Sequence, residues 1–142
     1  MKKVLIIITI VLLANMTKAQ WSQVNNGLQN LSGGVRSITG HNGKMYTGTL
    51  SGFKLYRSSD YGNNWSEIST PVISGIPVST HSYGNRLFFG LNVSWDDLYY
   101  TDDDGATWQV AQGGPQSSVV RGFYTLSTTI FCYTSNLGIY RS

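Results

Sequence analysis

The sequence predicts an all-β fold, and three observations carry that prediction. Beyond residue 20 no stretch spaces its apolar residues as a helix would over three turns. Short runs in which apolar and polar residues alternate, bounded by glycine and asparagine, recur instead. Trp21, Trp65 and Trp108 are 44 and 43 residues apart, the length of a repeating unit built from several strands.

The first residues stand outside this pattern. Met1-Lys2-Lys3 is a basic head on "VLIIITIVLLA", an apolar run of eleven residues. Such a run is too short to span a bilayer and suits a secretory signal, whereas an uncleaved anchor would need a longer run or different flanks. Thr17 and Ala19 are small residues where a signal peptidase reads, so the expected signal peptide is 1–19, with cleavage before Gln20. The expected location is secreted, periplasmic or cell-surface, with no transmembrane anchor after cleavage. Loss of Lys2, Lys3 and Lys18 leaves seven basic side chains against seven acidic ones, so the formal charge of +3 belongs to the leader. No basic stripe remains for nucleic acid or anionic lipid, and no nucleic-acid partner is expected. Cys132 is the one cysteine, which rules out an intrachain disulfide, and it lies too far from the leader for a lipidated N-terminal cysteine.

Residues 20–142 divide into units of about 21–64, 65–107 and 108–142, the last truncated. The units open with "WSQV", "WSEI" and "WQVA". In the first, "VRSIT" (35–39) leads through Asn42-Gly43 into "KMYTGT" (44–49). In the second, "PVSTHS" (77–82) leads through Gly84-Asn85 into "RLFFGL" (86–91), so that Lys44 matches Arg86, Tyr46 matches Phe88 and Gly48 matches Gly90. Pairs of this kind adopt the positive φ angles of a two-residue hairpin turn. The third unit has "VVRGFYT" (119–125) and "TIFCYT" (129–134), but its turn, Leu126-Ser127-Thr128, lacks the glycine. A third strand follows in each unit: "FKLYRSS" (53–59), "LYYT" (98–101) and "GIYRS" (138–142), and each tryptophan then opens a fourth. Repeating sheets of four short antiparallel strands are the blades of a β-propeller, each burying its faces against its neighbours.

Between the third and fourth strands lie "SSDYGNNW" (58–65) and "TDDDGATW" (101–108). Both resemble the Asp box, or bacterial neuraminidase repeat, with the pattern Ser/Thr-x-Asp-x-Gly-x-x-Trp. Ser58, Asp60, Gly62 and Trp65 match it in the first, and Thr101, Asp103, Gly105 and Trp108 in the second. "YRS" at 140–142 repeats "YRS" at 56–58, where a third box would begin. The resemblance covers essentially all of residues 20–142 and implies a sialidase-like propeller with the boxes at the blade periphery, away from the central ligand site.

The residues of the box are suited to holding a turn. A carboxylate or hydroxyl can accept backbone N–H groups that a tight turn leaves unpaired, as Asp60 and Asp103 are placed to do. Gly62 and Gly105 permit a left-handed backbone. Trp65 and Trp108 cover the turn with an apolar ring and can donate from the indole N–H. A structural role for the boxes is therefore expected.

Catalysis finds little support. Sialidases resemble one another in three arginines, a tyrosine with a glutamate partner and an aspartate acid/base. The early arginine of that family is followed by Ile-Pro, whereas Arg36 sits in "GVRSIT" without a proline after it. Glu67, the one glutamate, is two residues past a box tryptophan, a poor place for the nucleophile's partner. Arg36 and Arg121 occupy equivalent repeat positions, as do Arg57 and Arg141, which repetition explains more simply than a triad. No catalytic residue is assigned. Trp95, in "NVSWDD", with Arg36 and Arg121, are the candidate ligand contacts.

Metal and cofactor sites are not expected. Asp96, Asp97, Asp102, Asp103 and Asp104 are oxygen-rich, but a calcium loop would need an oxygen ligand at Tyr100 and a later glutamate, so solvated loop acids are the reading. His41 and His81 lack partners at ligand spacing and read as turn or surface residues.

About three blades cannot close a propeller of four to eight. A fragment of a longer product is the preferred reading, so that further blades in cis, or self-assembly, would complete it. The expected role is an exported, non-catalytic scaffold or recognition module for extracellular proteins or glycans. The alternative is the N-terminal part of a sialidase-like or other propeller glycoside hydrolase.

Overall fold

A computed structural model describes residues 21–29, 31–50, 52–70, 75–92 and 98–142. The expected signal peptide and Trp95 lie outside the described residues. A 3₁₀ turn, Leu31–Gly33, precedes eleven strands: β1 (Val35–His41), β2 (Lys44–Thr49), β3 (Lys54–Ser58), β4 (Ser66–Ile68), β5 (Ile76–Tyr83), β6 (Arg86–Asn92), β7 (Leu98–Thr101), β8 (Gln109–Val110), β9 (Val120–Leu126), β10 (Thr129–Thr134) and β11 (Ile139–Arg141). They form three antiparallel meanders, β1-β2-β3-β4, β5-β6-β7-β8 and β9-β10-β11. The strand that each tryptophan opens therefore closes the sheet before it: Ser66 pairs with Arg57, and Gln109 with Tyr100. Residues 21–24 are the exception, because among the described residues no third strand lies beside them to pair with.

All three first hairpins have two-residue turns, with His41 opposite Lys44, Tyr83 opposite Arg86 and Leu126 opposite Thr129. Asn42 and Gly43 take φ of 47° and 70°. In the glycine-free third turn Ser127 adopts φ 54°, and the turn shortens to Ser127-Thr128 with Leu126 inside β9. A local sheet thus overrides the missing glycine at a modest conformational cost.

The first strands β1, β5 and β9 run side by side at the inner edges of the sheets. Between the first two sheets, Tyr46, Leu55, Leu87, Phe89, Leu91 and Tyr99 form one core cluster. Between the second and third, Phe88, Leu98, Val120 and Cys132 form another. Alternation along β6 explains both: Leu87, Phe89 and Leu91 point to one neighbour and Phe88 to the other. A strand covered on both faces reads as a continuous apolar run, as "LFFGL" does, and each side chain so buried stabilises by roughly 1.5–3 kcal/mol. Gly90 lets the sheets approach; a Cβ there would stand 2.7 Å from the carbonyl oxygen of Val120, the first residue of β9. The matching Gly48 faces Pro77 of β5, whose Cβ would be 2.3 Å away.

Candidate functional site

The two boxes repeat one another hydrogen bond for hydrogen bond. In the first, the backbone N–H of Gly62 donates to Ser58 Oγ at 2.9 Å, Ser58 Oγ donates to Asp60 Oδ1 at 2.8 Å, and the N–H of Asn64 donates to the same oxygen at 2.8 Å. In the second, the N–H of Gly105 donates to Thr101 Oγ1 at 3.0 Å, Thr101 Oγ1 donates to Asp103 Oδ1 at 2.7 Å, and the N–H of Thr107 donates to that oxygen at 2.8 Å. The second carboxylate oxygen of Asp103 accepts Thr107 Oγ1 at 2.6 Å, and that of Asp60 accepts Asn64 Nδ2 at 2.6 Å. So many donors on the charged form hold the Asp103 carboxyl down at about 2 and lower Asp60 as well, the side-chain donors Thr107 and Asn64 contributing most. Tyr61-Gly62 and Asp104-Gly105 both take positive φ, which sends the chain sharply back into the fourth strand.

Each box also reaches the chain before it. The Trp108 indole N–H donates to the Ser69 carbonyl at 3.0 Å, just past β4, and Trp65 donates to the Val24 carbonyl at 2.9 Å. Ile68 lies against Gly105 and Val24 against Gly62. The boxes are joints within and between sheets, with their carboxylates fully committed to the turn.

The acids that the sequence groups together are separately engaged. Asp102 pairs with Arg86 at 3.2 Å, whose guanidinium lies 4.3 Å from the centre of the Tyr100 ring. Asp104 crosses the seam to form an ion pair with Lys44, takes a hydrogen bond from Asn42 Nδ2 at 3.2 Å, and its carbonyl accepts from Arg57 at 3.3 Å. Burial, reinforced by the Asp104 charge, pushes the Tyr46 phenol up to about 12. Glu67 pairs with Lys54. Asp96 and Asp97 lie outside the described residues. Among the described residues, no group of three His, Cys, Asp or Glu side chains is placed to hold a metal ion.

The histidines differ from the surface expectation. His41 ends β1 at 4% exposure, with Nδ1 2.8 Å from Ser82 Oγ across the seam and Nε2 3.1 Å from Asn42 Nδ2. Because the Asn42 amide also donates to Asp104, its nitrogen faces Nε2 as a donor, so the neutral imidazole carries its proton on Nδ1. His81 is half-buried in β5, stacks on Phe123 and meets Thr125 Oγ1 at 2.6 Å. Desolvation lowers the pKa of both. The missed signal was their place in the first strands β1 and β5, which are shared between sheets.

Of the candidate ligand contacts, Trp95 is outside the described residues, while Arg36 and Arg121 are exposed on β1 and β9. The two share a feature that no residue count shows. The β1–β2 register slips between Val35 and Ser37, and the β9–β10 register between Gly122 and Val120, so each arginine is the extra residue of a β-bulge. Val78 holds the same bulge in β5, between Pro77 and Ser79. Bulges re-aim a side chain and are frequent beside binding sites. The arginines are not brought together; the β5 sheet stands between them, and Arg121 Nε donates to Ser135 Oγ at 2.8 Å.

The arrangement of three meanders around adjoining first strands has a solved counterpart. YCF48 bound to D1 peptide superposes with a TM-score of 0.56 at 17% identity, over 75% of this chain and 36% of that one. This chain is a run of β-propeller blades. A curated xyloglucanase from Hypocrea jecorina (strain QM6a) is 27% identical in an alignment 121 residues long that covers 77% of this chain and 14% of the xyloglucanase. The blades thus span about a seventh of that curated relative. No family model matches the chain.

Proposed function

We propose that these blades belong to an exported propeller that acts as a scaffold or recognition module for glycans or proteins and does not itself cleave them. One observation carries this reading: all five described carboxylates, Asp60, Glu67, Asp102, Asp103 and Asp104, are bound into a turn or an ion pair. A glycosidase needs two carboxyls flanking the scissile bond, one with a raised pKa to serve as acid. Here Asp60, Asp103 and Asp104 are all lowered. The contact surface in this reading is the bulged inner strands, where Arg36 and Arg121 present guanidinium donors suited to hydroxyl or carboxylate groups. Residues 1–19 act as the signal that delivers it outside the cytoplasm.

A second reading, part of a propeller glycoside hydrolase, is favoured by the similarity to a xyloglucanase. Xyloglucan and a fluorogenic sialoside, incubated with the purified full-length protein, separate the two. The recognition reading expects retardation in a xyloglucan affinity gel, or on another glycan or protein surface, with no release of reducing ends or phenol. Release of either product overturns it.

A further inference from the structure

Two asparagines in the sequence precede a glycine, Asn26 and Asn42, and the fold treats them differently. An asparagine in that position is chemically labile, because the next backbone nitrogen can reach its side-chain carbonyl carbon and glycine has no Cβ to obstruct the approach. At the first pair the chain is held. The Asn26 carbonyl accepts the Trp65 N–H at 2.9 Å, and a Cβ built on Gly27 would stand 2.1 Å from the Trp65 carbonyl oxygen. At the second pair the backbone is open. Asn42 and Gly43 are exposed at the tip of the β1–β2 hairpin, and a Cβ built on Gly43 meets nothing beyond its chain neighbours within 4 Å.

The Asn42 amide also fastens the seam between the first and second blades. Its nitrogen alone reaches two acceptors, His41 Nε2 at 3.1 Å and Asp104 Oδ1 at 3.2 Å, and Asp104 belongs to the second blade. The matching turn of that blade, Gly84-Asn85, reverses the order and puts Arg86 after the asparagine. There Asn85 Nδ2 donates to the Asp102 carbonyl of its own sheet, at 3.3 Å. One exposed amide nitrogen, backed by the Lys44–Asp104 ion pair, therefore ties the first hairpin to the next box.

We propose that Asn42 is a site of spontaneous deamidation and that its conversion unfastens the first blade from the second. The Gly43 nitrogen loses its proton to solvent and bonds to Asn42 Cγ. The bond from Cγ to Nδ2 breaks, and that nitrogen leaves as ammonia with a proton from solvent. Water then opens the cyclic imide at either carbonyl, giving an aspartate or an isoaspartate. The overall change is amide plus water to acid plus ammonia, so neither an oxidant nor a cofactor enters it. The leaving nitrogen is the one that bonds His41 and Asp104, and a carboxylate facing Asp104 takes its place, with Lys44 shared between two acids. In the isoaspartate the main chain also runs through the former side chain, which lengthens a turn fitted to two residues.

His41 changes partner at the same time. The charged and titratable groups facing it are Lys44 and Tyr46 of β2 and Asp104 of the second box, with Ser82 of β5 on its other nitrogen. A carboxylate at position 42 accepts a hydrogen bond from a protonated Nε2, which the amide nitrogen cannot.

Peptide mapping by mass, on the full-length protein held warm at mildly alkaline pH, tests the chemistry. The expected first product carries at residue 42 the mass gain of an amide converted to an acid, ahead of Asn26 and every other asparagine. Another asparagine converting first overturns the proposal, as does an intact Asn42 at a time when a synthetic peptide of residues 38–47 has converted. Asn42→Asp, made directly, tests the consequence. It should lower the melting temperature at neutral pH by roughly 3–6 °C, the effect of one like-charge contact in a domain of this size. The loss should narrow as pH falls below about 6.5, because the new acid helps His41 to take up its proton, and should largely vanish in an Asp104→Asn background. No loss, a loss of the same size with Asp104→Asn in place, or one independent of pH overturns the unfastening.

Discussion

The Trp108 indole donates to the carbonyl of Ser69, so the box that closes the second sheet is fastened to the chain just leaving the first. Trp65 repeats the contact with Val24 and is itself 6% exposed. Trp108→Phe keeps an aromatic ring but gives up the hydrogen bond and part of the packing on Phe89, and should cost about 1 kcal/mol or more. Trp65→Ala empties a buried site and should cost about 3 kcal/mol or more. Urea unfolding midpoints, compared at constant m-value, measure both.

Gly90 is expected to tolerate no side chain. Gly90→Ala drives a Cβ against the Val120 backbone, which a strand cannot easily yield, and should destabilise by about 1–3 kcal/mol. Gly122→Ala meets only the tip of the Tyr133 side chain, at 2.6 Å, and should cost less. Thermal unfolding of the two variants side by side checks the order.

The acid limb of stability should report the second box. Asp103 is held at about 2, below its ordinary 3.8. A carboxyl lowered by folding contributes stability that is complete above the unfolded value and is lost as pH falls from about 4 towards 2. Asp103→Asn should therefore lower the melting temperature at neutral pH, with the gap to the unchanged protein narrowing near pH 2. A gap independent of pH would count against the charged-turn account.

His41 and His81 set a second, milder window. Both are lowered from 6.5 by burial, so the unfolded chain takes up protons first as pH falls below that value. Stability is then complete above about 6.5 and declines towards pH 5. At His41 burial outweighs the opposing Asp104 charge, and protonation would also turn Nε2 into a donor facing the Asn42 amide donor. His41→Gln with His81→Gln should flatten the slope of the denaturation midpoint against pH between those values.

The fold was largely legible in the sequence. Tryptophan spacing, the hairpin turn pairs and the two boxes each rest on local chemistry: a turn needs its φ angles, and a carboxylate two residues from a hydroxyl finds the same N–H groups in every copy. The Gly48 and Gly90 match was visible as a repeat, but its reason, the close approach of Pro77 and Val120 from the next sheet, is a contact between residues about thirty apart.

The candidate site was less legible for the same reason. Arg36 and Arg121 could be paired by counting, yet the bulges that carry them appear only once β1 and β9 are set in register against β2 and β10. Asp102, Asp103 and Asp104 read as one acidic cluster, and packing sends them to Arg86, to the turn and to Lys44 across the seam. Local composition decides turns and strands because their hydrogen bonds close within a few residues. Which side chains are shared between blades depends on how whole sheets stack, and no single stretch of chain contains that information.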